Sequence, residues 1–362
     1  MKKITSMILA LVFAVSLIGT ASAKTLKIQL TFPKTSYDGQ IVKMWTDRVT
    51  QLTRGELKFE LLSKGEVVGM KETLEAVDKG LVDGGAAWTH YWSNYHPAAM
   101  LFGSPVAGGG IGLSTKSWLA WYFDNGGKEL YDRLWNEMGM NVKGFVMASS
   151  GPEALGWFKE PIKNMDDFRK YRFRTPPGIP GQTYKDIGIA SVSLSGGDIL
   201  PALEKGTIDA AEWCCPKPDS VFGFQKVLKN YYLQGLHQNV VNGDIYINGD
   251  VYNSLTDHQK YAMEIASEAM ITRNITNRAV ENGKALIDLT ENHGVKLWDT
   301  PADYFTEYMN AAQATLKKNA ADNAFFKEVY EHMTAHAKIV VPFIAQMETS
   351  DASIGTAFAN QQ

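Results

Sequence analysis

The sequence predicts a mixed α/β fold of two similar lobes with a cleft between them. Strand-like apolar stretches alternate with amphipathic helical ones along the chain, which is the pattern of α/β proteins. A unit near the middle, Glu204-Lys205-Gly206-Thr207-Ile208-Asp209-Ala210-Ala211-Glu212-Trp213, has an earlier echo in Asp78-Lys79-Gly80-Leu81-Val82-Asp83-Gly84-Gly85-Ala86-Ala87. Each copy follows an amphipathic helical stretch, and in each a Gly in the left-handed position after the helix stops it ahead of a short buried strand. Small residues after the Asp let another chain or a ligand approach the backbone closely. A helix–strand unit repeated at long range implies two related lobes, and 362 residues suffice for two ordinary α/β domains.

The chain begins with Met1-Lys2-Lys3, an apolar run over residues 4–19 and the small-x-small site Ala21-Ser22-Ala23. This is the layout of a cleavable secretory signal peptide, residues 1–23, with a mature start at Lys24. No later stretch is apolar enough to span a bilayer, so the reading is export into a bacterial periplasm. Residues 26–30 alternate as a first strand. Ser36 is an N-cap for a helix running to about Leu52 and ended by Gly55. Residues 57–62 read as a second strand. After the first copy of the repeat come the aromatic segment Trp88-Thr89-His90-Tyr91-Trp92-Ser93-Asn94-Tyr95 and the glycines Gly108-Gly109-Gly110. The glycines read as a flexible loop and lack the spacing of a nucleotide fingerprint. Residues 117–134 read as one amphipathic helix and 142–147 as a buried strand. Residues 165–179 read as a strand entering the rigid turn Tyr171-Arg172-Phe173-Arg174-Thr175-Pro176-Pro177-Gly178. Residues 256–289 are polar and periodic enough for one or two long helices. Residues 325–345 form a helix with more apolar surface than a monomer edge needs, which suits a partner. The tail from Thr349 on is expected to be disordered.

Composition narrows the function. Hydrophobic residues make up 45% and charged ones 21%, ordinary for a globular protein. A formal charge of -3 gives no case for a nucleic-acid partner. Neither a Gly-x-Ser-x-Gly elbow nor a His-Glu-x-x-His zinc motif occurs, and the seven His show no ligand spacing, so nothing demands catalysis. The only two cysteines, Cys214-Cys215, are neighbours. They allow a strained vicinal disulfide or two buried thiols, and the strain favours the thiols.

Arg174 leads the candidates for binding. Two prolines fix the backbone beside it, so the guanidinium is pre-oriented for bidentate capture of a carboxylate. The bland alternative is a structural ion pair. Glu212 ends a short strand, where a carboxylate requires a cation, and Trp213 adds an apolar wall with an N–H donor. Glu153 follows the strand over 142–147 in a similar setting. Two carboxylates at strand ends can hold a hard cation through oxygen, or lie solvated in loops.

Taken in order, these segments resemble the extracytoplasmic solute-binding proteins of tripartite ATP-independent periplasmic (TRAP) transporters. The resemblance covers about residues 24–343. It rests on Lys79-Gly80-Leu81-Val82-Asp83, on the turn at 171–178, on residues 203–213, and on Gly223-Phe224-Gln225-Lys226-Val227 before Tyr231-Tyr232. The Pro-Pro-Gly turn and Glu212-Trp213 point to the branch that binds 2-oxo and 2-hydroxy monocarboxylates with a metal ion. The resemblance implies a periplasmic-binding-protein-like fold with hinge strands, a long interlobe helix and a C-terminal dimerisation helix. Lobe I would hold residues 24–148 plus about 238–285. Lobe II would hold 149–237 plus about 286–322, with the C-terminal helix at 323–350.

By the same resemblance Arg174 clamps the substrate carboxylate. Glu153, Glu212, Trp213 (through its backbone) and Gln238 surround the cation. The cation then bridges to the carboxylate and the 2-oxo oxygen. Tyr91 and Trp92 would line the cleft from the first lobe, or pack in its core, and Ser150 would donate a hydrogen bond from the other side. One position departs from the family: a Gln is typical where this chain has Glu153. Two acids suit Ca²⁺ better than Na⁺; alternatively, Glu153 pairs with an amino group of the substrate and no metal is bound. The implied partners are a small organic acid, the membrane subunits of a TRAP transporter and a second copy of the chain. The rival readings are a secreted enzyme using Glu153 and Glu212 as an acid/base pair, and a solute receptor serving a sensor kinase.

Overall fold

Two β-sheets carry the chain, one in each lobe, in a computed structural model that describes residues 23–194 and 196–359. The signal peptide read at residues 1–23 lies outside the described residues except for Ala23. The first sheet is built from β1 (Lys24–Leu30), β2 (Leu57–Leu62), β3 (Gly84–Trp88), β4 (Val142–Ser150) and, from much later in the chain, β10 (Val241–Asn248). Its order is β2-β1-β3-β10-β4, with β1 parallel to β2 and β3, and β10 antiparallel to β3 and β4. The second sheet holds β5 (Gly156–Phe158), β6 (Arg172–Thr175), β7 (Ala190–Ser193), β8 (Ala210–Ala211), β9 (Asn230–Tyr232) and β11 (Lys296–Trp298). Its order is β11-β9-β5-β8-β6-β7.

The helices follow from local chemistry. Ser36 Oγ accepts from Gly39 N and opens the helix Tyr37–Leu52, whose Ile41, Val42, Trp45 and Val49 are buried against the first sheet. Thr256 and Gln259 form a reciprocal capping box that opens one unbroken helix, Asp257–Asn292. It packs on β4 and on the helix Tyr37–Leu52, then reaches the helix Pro216–Phe222 of the second lobe. The fold thus has the two lobes and long connecting helix that the sequence implied.

The repeated unit shows what its conserved-looking core does within this one chain. Gly80 and Gly206 end their helices at φ 67° and 66°. The Asp that follows ties down a neighbouring strand in each copy. Asp83 Oδ2 accepts from Lys27 N at 2.7 Å on β1, and Asp209 pairs with Arg172 on β6, at 2.8 Å from Nε.

Four sequence readings are corrected here. The stretch 117–134 is two helices, Thr115–Asp124 and Gly127–Glu137, broken where Gly126 takes φ 78°. Residues 165–168 form a short helix capped by Asn164, ahead of β6, instead of a strand. Gly108-Gly109-Gly110 is not a flexible loop. It is a buried left-handed turn held by Gln313 Nε2 on Gly110 O at 2.8 Å, and a Cβ on Gly108 would meet Leu113 O at 2.3 Å. The tail from Thr349 continues as helix, because the final element runs unbroken over Ala324–Ala359. Along that helix Ile339, Phe343 and Met347 are 72%, 66% and 56% exposed, a solvent-facing apolar row at four-residue spacing.

Candidate functional site

Arg174 is the penultimate residue of β6, paired with Ala211 of β8, the neighbouring strand that Glu212 follows, so the register of one sheet brings the two side chains together. Both are buried and form an ion pair through Arg174 Nη1 and Glu212 Oε1. The same Nη1 donates to Glu212 O at 2.9 Å, and Nε donates to Leu194 O at 3.1 Å. The guanidinium lies over the Trp213 ring, 5.2 Å from its centroid. Nη2 bonds to none of the described residues and is the face of the fork left for a ligand. The bland and the functional readings of Arg174 therefore coexist: it is in a structural ion pair and still offers two N–H donors.

Glu153 comes from the other direction. The loop after β4 passes Gly151-Pro152, a cis peptide bond. It is held where Glu153 N donates to Gln238 O at 3.0 Å and Ala154 N to Cys214 O at 2.8 Å. Carboxylate oxygens of Glu153 and Glu212 and a ring nitrogen of His237 all lie within 4.8 Å of one another. Glu153 Oε2, Glu212 Oε2 and His237 Nε2 are buried without hydrogen-bond partners among the described residues. His237 Nε2 stands 3.5 Å from Glu212 Oε2, while its Nδ1 is 3.2 Å from the Tyr184 hydroxyl. Three orphaned ligand atoms converging on one point fit a small cation, since buried polar atoms otherwise find partners.

The electrostatics divide the two carboxyls. Burial, then the neighbouring Cys214 and Glu212, push Glu153 well above the usual carboxylate range. Burial acts on Glu212 in the same sense, but Arg174, then His237 and His90, outweigh it and hold the group below its ordinary value. The surroundings thus pull the two carboxyls apart, burial raising one and Arg174 lowering the other.

The remaining predicted residues separate. Tyr91 is partly exposed, its ring edge-on to His90 with centroids 5.0 Å apart, and burial pushes its hydroxyl up. Trp92, read as a possible cleft wall, turns the other way. It is buried edge-on against Tyr246, ring centroids 5.9 Å apart, in the first-lobe core. Consecutive residues in a short turn of 3₁₀ helix cannot share a face, which is why one of the pair is buried and the other partly exposed. Ser150 Oγ is buried with no partner, and Gln238 is buried beside Glu153.

His237, Asp219 and Arg278 were not singled out by sequence reasoning. His237 had one usable signal, its place directly before Gln238. Asp219 accepts from Trp157 Nε1 at 2.8 Å, Tyr231 Oη at 3.0 Å and Cys214 N at 3.0 Å, so it pins the loop that follows Glu212-Trp213. Burial lifts its carboxyl to about 7. Asp219→Ala strands three donors and is expected to cost about 2–4 kcal/mol, against much less for Asp219→Asn; urea denaturation of both variants measures the difference. Arg278, on the long helix, reaches Asp38 at 3.1 Å and the thiols of Cys214 and Cys215 at 3.4 and 3.5 Å. Both cysteines are free thiols.

Comparison with known proteins decides the family. A family model for bacterial extracellular solute-binding proteins, family 7, matches residues 30–323. The chain belongs to that family. A monocarboxylate 2-oxoacid-binding periplasmic protein of Nostoc sp. is 33% identical to this family 7 protein over 298 residues, 80% of this chain and 78% of the relative. A TRAP transporter solute-binding protein of Bordetella bronchiseptica superposes with a TM-score of 0.85 at 25% identity, covering 94% of this chain and 99% of the other. That structure is a mixed-occupancy dimer with copurified calcium and picolinate in one active site. A TRAP periplasmic solute-binding protein of Pseudoalteromonas atlantica, with bound sodium and pyruvate, gives a TM-score of 0.83 at 20% identity over 92% of this chain and 99% of its own. The family 7 protein described here is a TRAP-type solute-binding protein and not an enzyme, which removes the acid/base reading of Glu153 and Glu212.

Proposed function

We propose that this protein captures a small 2-oxo or 2-hydroxy monocarboxylate in the periplasm and delivers it to the membrane subunits of a TRAP transporter. The carrying observation is the junction of Arg174 with the three orphaned ligand atoms of Glu153, Glu212 and His237. Arg174 Nη2 anchors the acid's carboxylate, and Trp213 and Tyr91 wall it. Ser150 Oγ is a further donor. Glu153, Glu212, Gln238 and the Trp213 backbone would hold the cation, with His237 added to that set on the geometry. When bound, the cation supplies positive charge to the carboxylate and 2-oxo oxygen of the acid. The relatives' calcium, sodium, pyruvate and picolinate support this reading. The second acid at Glu153 favours calcium over sodium.

The lobes divide at about residues 148, 238, 285 and 322, and they close on the acid by rotation about the connecting segments. Closure excludes water and strengthens every ion pair in the site. Titration calorimetry of the mature protein with pyruvate and longer 2-oxo acids, with and without calcium, tests the function. Saturable binding that calcium tightens is expected; no binding of any 2-oxo or 2-hydroxy acid overturns it.

The row Ile339, Phe343 and Met347 is read as a dimer face for a second copy. The Bordetella dimer supports this, as does the continuation of the stripe to the exposed Ile354 and Phe358. Light scattering should give twice the chain mass for the wild type. The Ile339→Glu/Phe343→Glu variant should give a single chain with acid binding retained.

A further inference from the structure

The two neighbouring thiols take no part in holding the acid or the cation, yet they sit on the backbone that positions the cation's ligands. Cys214 follows Trp213 directly, and the two cysteines are 9% and 8% exposed. Their sulfurs stand 3.0 Å apart. Arg278 Nη1 reaches one sulfur at 3.4 Å and the other at 3.5 Å, and its guanidinium lies over the rings of Tyr37 and Trp88. Buried cysteine ordinarily packs as a small inert hydrophobe. Here two sulfurs face each other beside a cation.

The peptide that joins the two residues is tied on several sides. Cys214 O accepts from Ala154 N at 2.8 Å, and Cys215 O accepts from Asp219 N at 3.0 Å. Cys214 N donates to Asp219 Oδ1 at 3.0 Å. Ala154 adjoins Glu153, whose carboxyl converges with Glu212 and His237. Joining the sulfurs would act on this peptide, which is trans. Across a trans peptide the two Cα atoms are about 3.8 Å apart, whereas disulfides usually span about 4.4–6.8 Å. Closing the eight-membered ring therefore twists the peptide between Cys214 and Cys215 and turns Cys214 O away from Ala154 N.

We propose that Cys214 and Cys215 are a reversible redox site, oxidised by a small disulfide, and that oxidation loosens the loop carrying Glu153 and weakens the cation site. The thiolate of one cysteine attacks a sulfur of the disulfide, which forms a mixed disulfide and releases one thiol. The second cysteine, as thiolate, attacks the sulfur of the first and releases the other thiol. Two electrons pass from the protein to the disulfide, and the two protons that the cysteines lose end on the two released thiols. The ring is strained, so it is readily reduced and the step runs both ways. A small disulfide suits the narrow access to the pair better than a folded oxidant does. Exchange is slow, because the hydrogen bond to Cys215 and then burial hold Cys214 in the thiol form. The regulatory half of the proposal rests on the reading of Glu153 as a ligand of the cation; the redox half does not.

The test equilibrates the full mature chain with glutathione and glutathione disulfide at a series of ratios, quenches with acid and reads the intact mass. The oxidised form should lack two hydrogens. Calorimetry then compares the two forms with calcium alone and with pyruvate plus calcium. Oxidation should weaken calcium about tenfold, and by reciprocity saturating calcium should make the pair harder to oxidise, raising its midpoint potential by about 30 mV. Cys215→Ala and the double variant Cys214→Ser/Cys215→Ser should bind calcium as the reduced form does and ignore the disulfide, with melting curves certifying that both fold. An unchanged mass at every ratio, or a lasting glutathione adduct in place of the ring, overturns the redox site. Loss of two hydrogens with equal calcium affinity in both forms overturns the regulation alone. A reduced form that binds neither calcium nor pyruvate overturns the carboxylate reading and the regulation with it, while the mass result still decides the redox site.

Discussion

Arg174→Ala should lose at least a hundredfold in affinity for the bound acid, measured by calorimetry, because it removes the charged Nη2 donor that partners the carboxylate. The structure adds a consequence that the sequence alone did not show. Glu212 is wholly buried and relies on Arg174 for its charge balance. Removing one member of a buried pair leaves the other uncompensated, at a cost of about 3–5 kcal/mol. The single variant should therefore melt well below the wild type. The double variant Arg174→Ala/Glu212→Gln should recover most of that stability and none of the acid binding. This pattern separates the two duties of the residue. Full-affinity binding by the folded double variant would show that the carboxylate is anchored elsewhere.

The second large effect is in the pH dependence of calcium. Glu153 has its value raised well above the usual range, burial being the first cause, and burial lifts Asp219 and Asp244 to about 7. A carboxyl with a raised folded-state value keeps its proton where the unfolded chain has lost it. Its stabilising share is complete below the unfolded value, near pH 4, and is lost as pH rises through the folded one. The cation-free protein should accordingly lose melting temperature between about pH 4 and 7. Glu212, held low by Arg174, acts in the opposite sense and gives up its share only as the pH falls into the acid range. Calcium must displace the Glu153 proton, so the stabilisation it confers should grow with pH, reaching about 5 °C at pH 8 with calcium near a hundred times its Kd. Glu153→Gln should flatten this dependence and shrink the calcium effect. Equal calcium shifts at pH 5 and pH 8, or an unchanged effect in the variant, would remove Glu153 from the cation site.

Much of the architecture was legible because it is written locally. The Gly at each copy of the repeat, Ser36 and Thr256 at their helix starts, and the periodic stretch before Leu289 each specify an element from a few neighbouring residues. The errors fall where a local signal has a remote answer. Gly108-Gly109-Gly110 looks mobile until Gln313 and Leu113 are seen to enclose it. The final helix looks frayed from Thr349, yet its backbone hydrogen bonds continue to Ala359. The site was legible in the same measure. Arg174 and Glu212 stand at the ends of neighbouring strands, and their residue types announce a charged cluster. His237 carries no such mark. Outside the site the same holds: an Asn on a polar helix reads as solvated, and only the sheet opposite shows that Asn274 is enclosed.

The helix Asp257–Asn292 is about 54 Å long at the usual rise per residue. Near one end it is pinned to the first lobe by Trp45 Nε1 on Ser267 Oγ at 2.8 Å. Towards the other it is pinned to the second lobe, where Lys217 N donates to Asn282 Oδ1 at 2.9 Å and Leu289 is buried. A rod clamped at two points cannot slide. The span between the clamps is tied to the first lobe as well, by the Tyr37 hydroxyl donating to Asn277 Oδ1 at 2.7 Å and by Arg278 Nη2 on Asp38 at 3.1 Å, so a bend there would be spread over several hydrogen bonds that each lengthen slightly. Asn274 and Arg278 both lie in that span. The stretch of the rod that joins the two lobes is thus also the stretch that carries buried polar side chains, so over about four turns a bend of the rod would move those side chains with it.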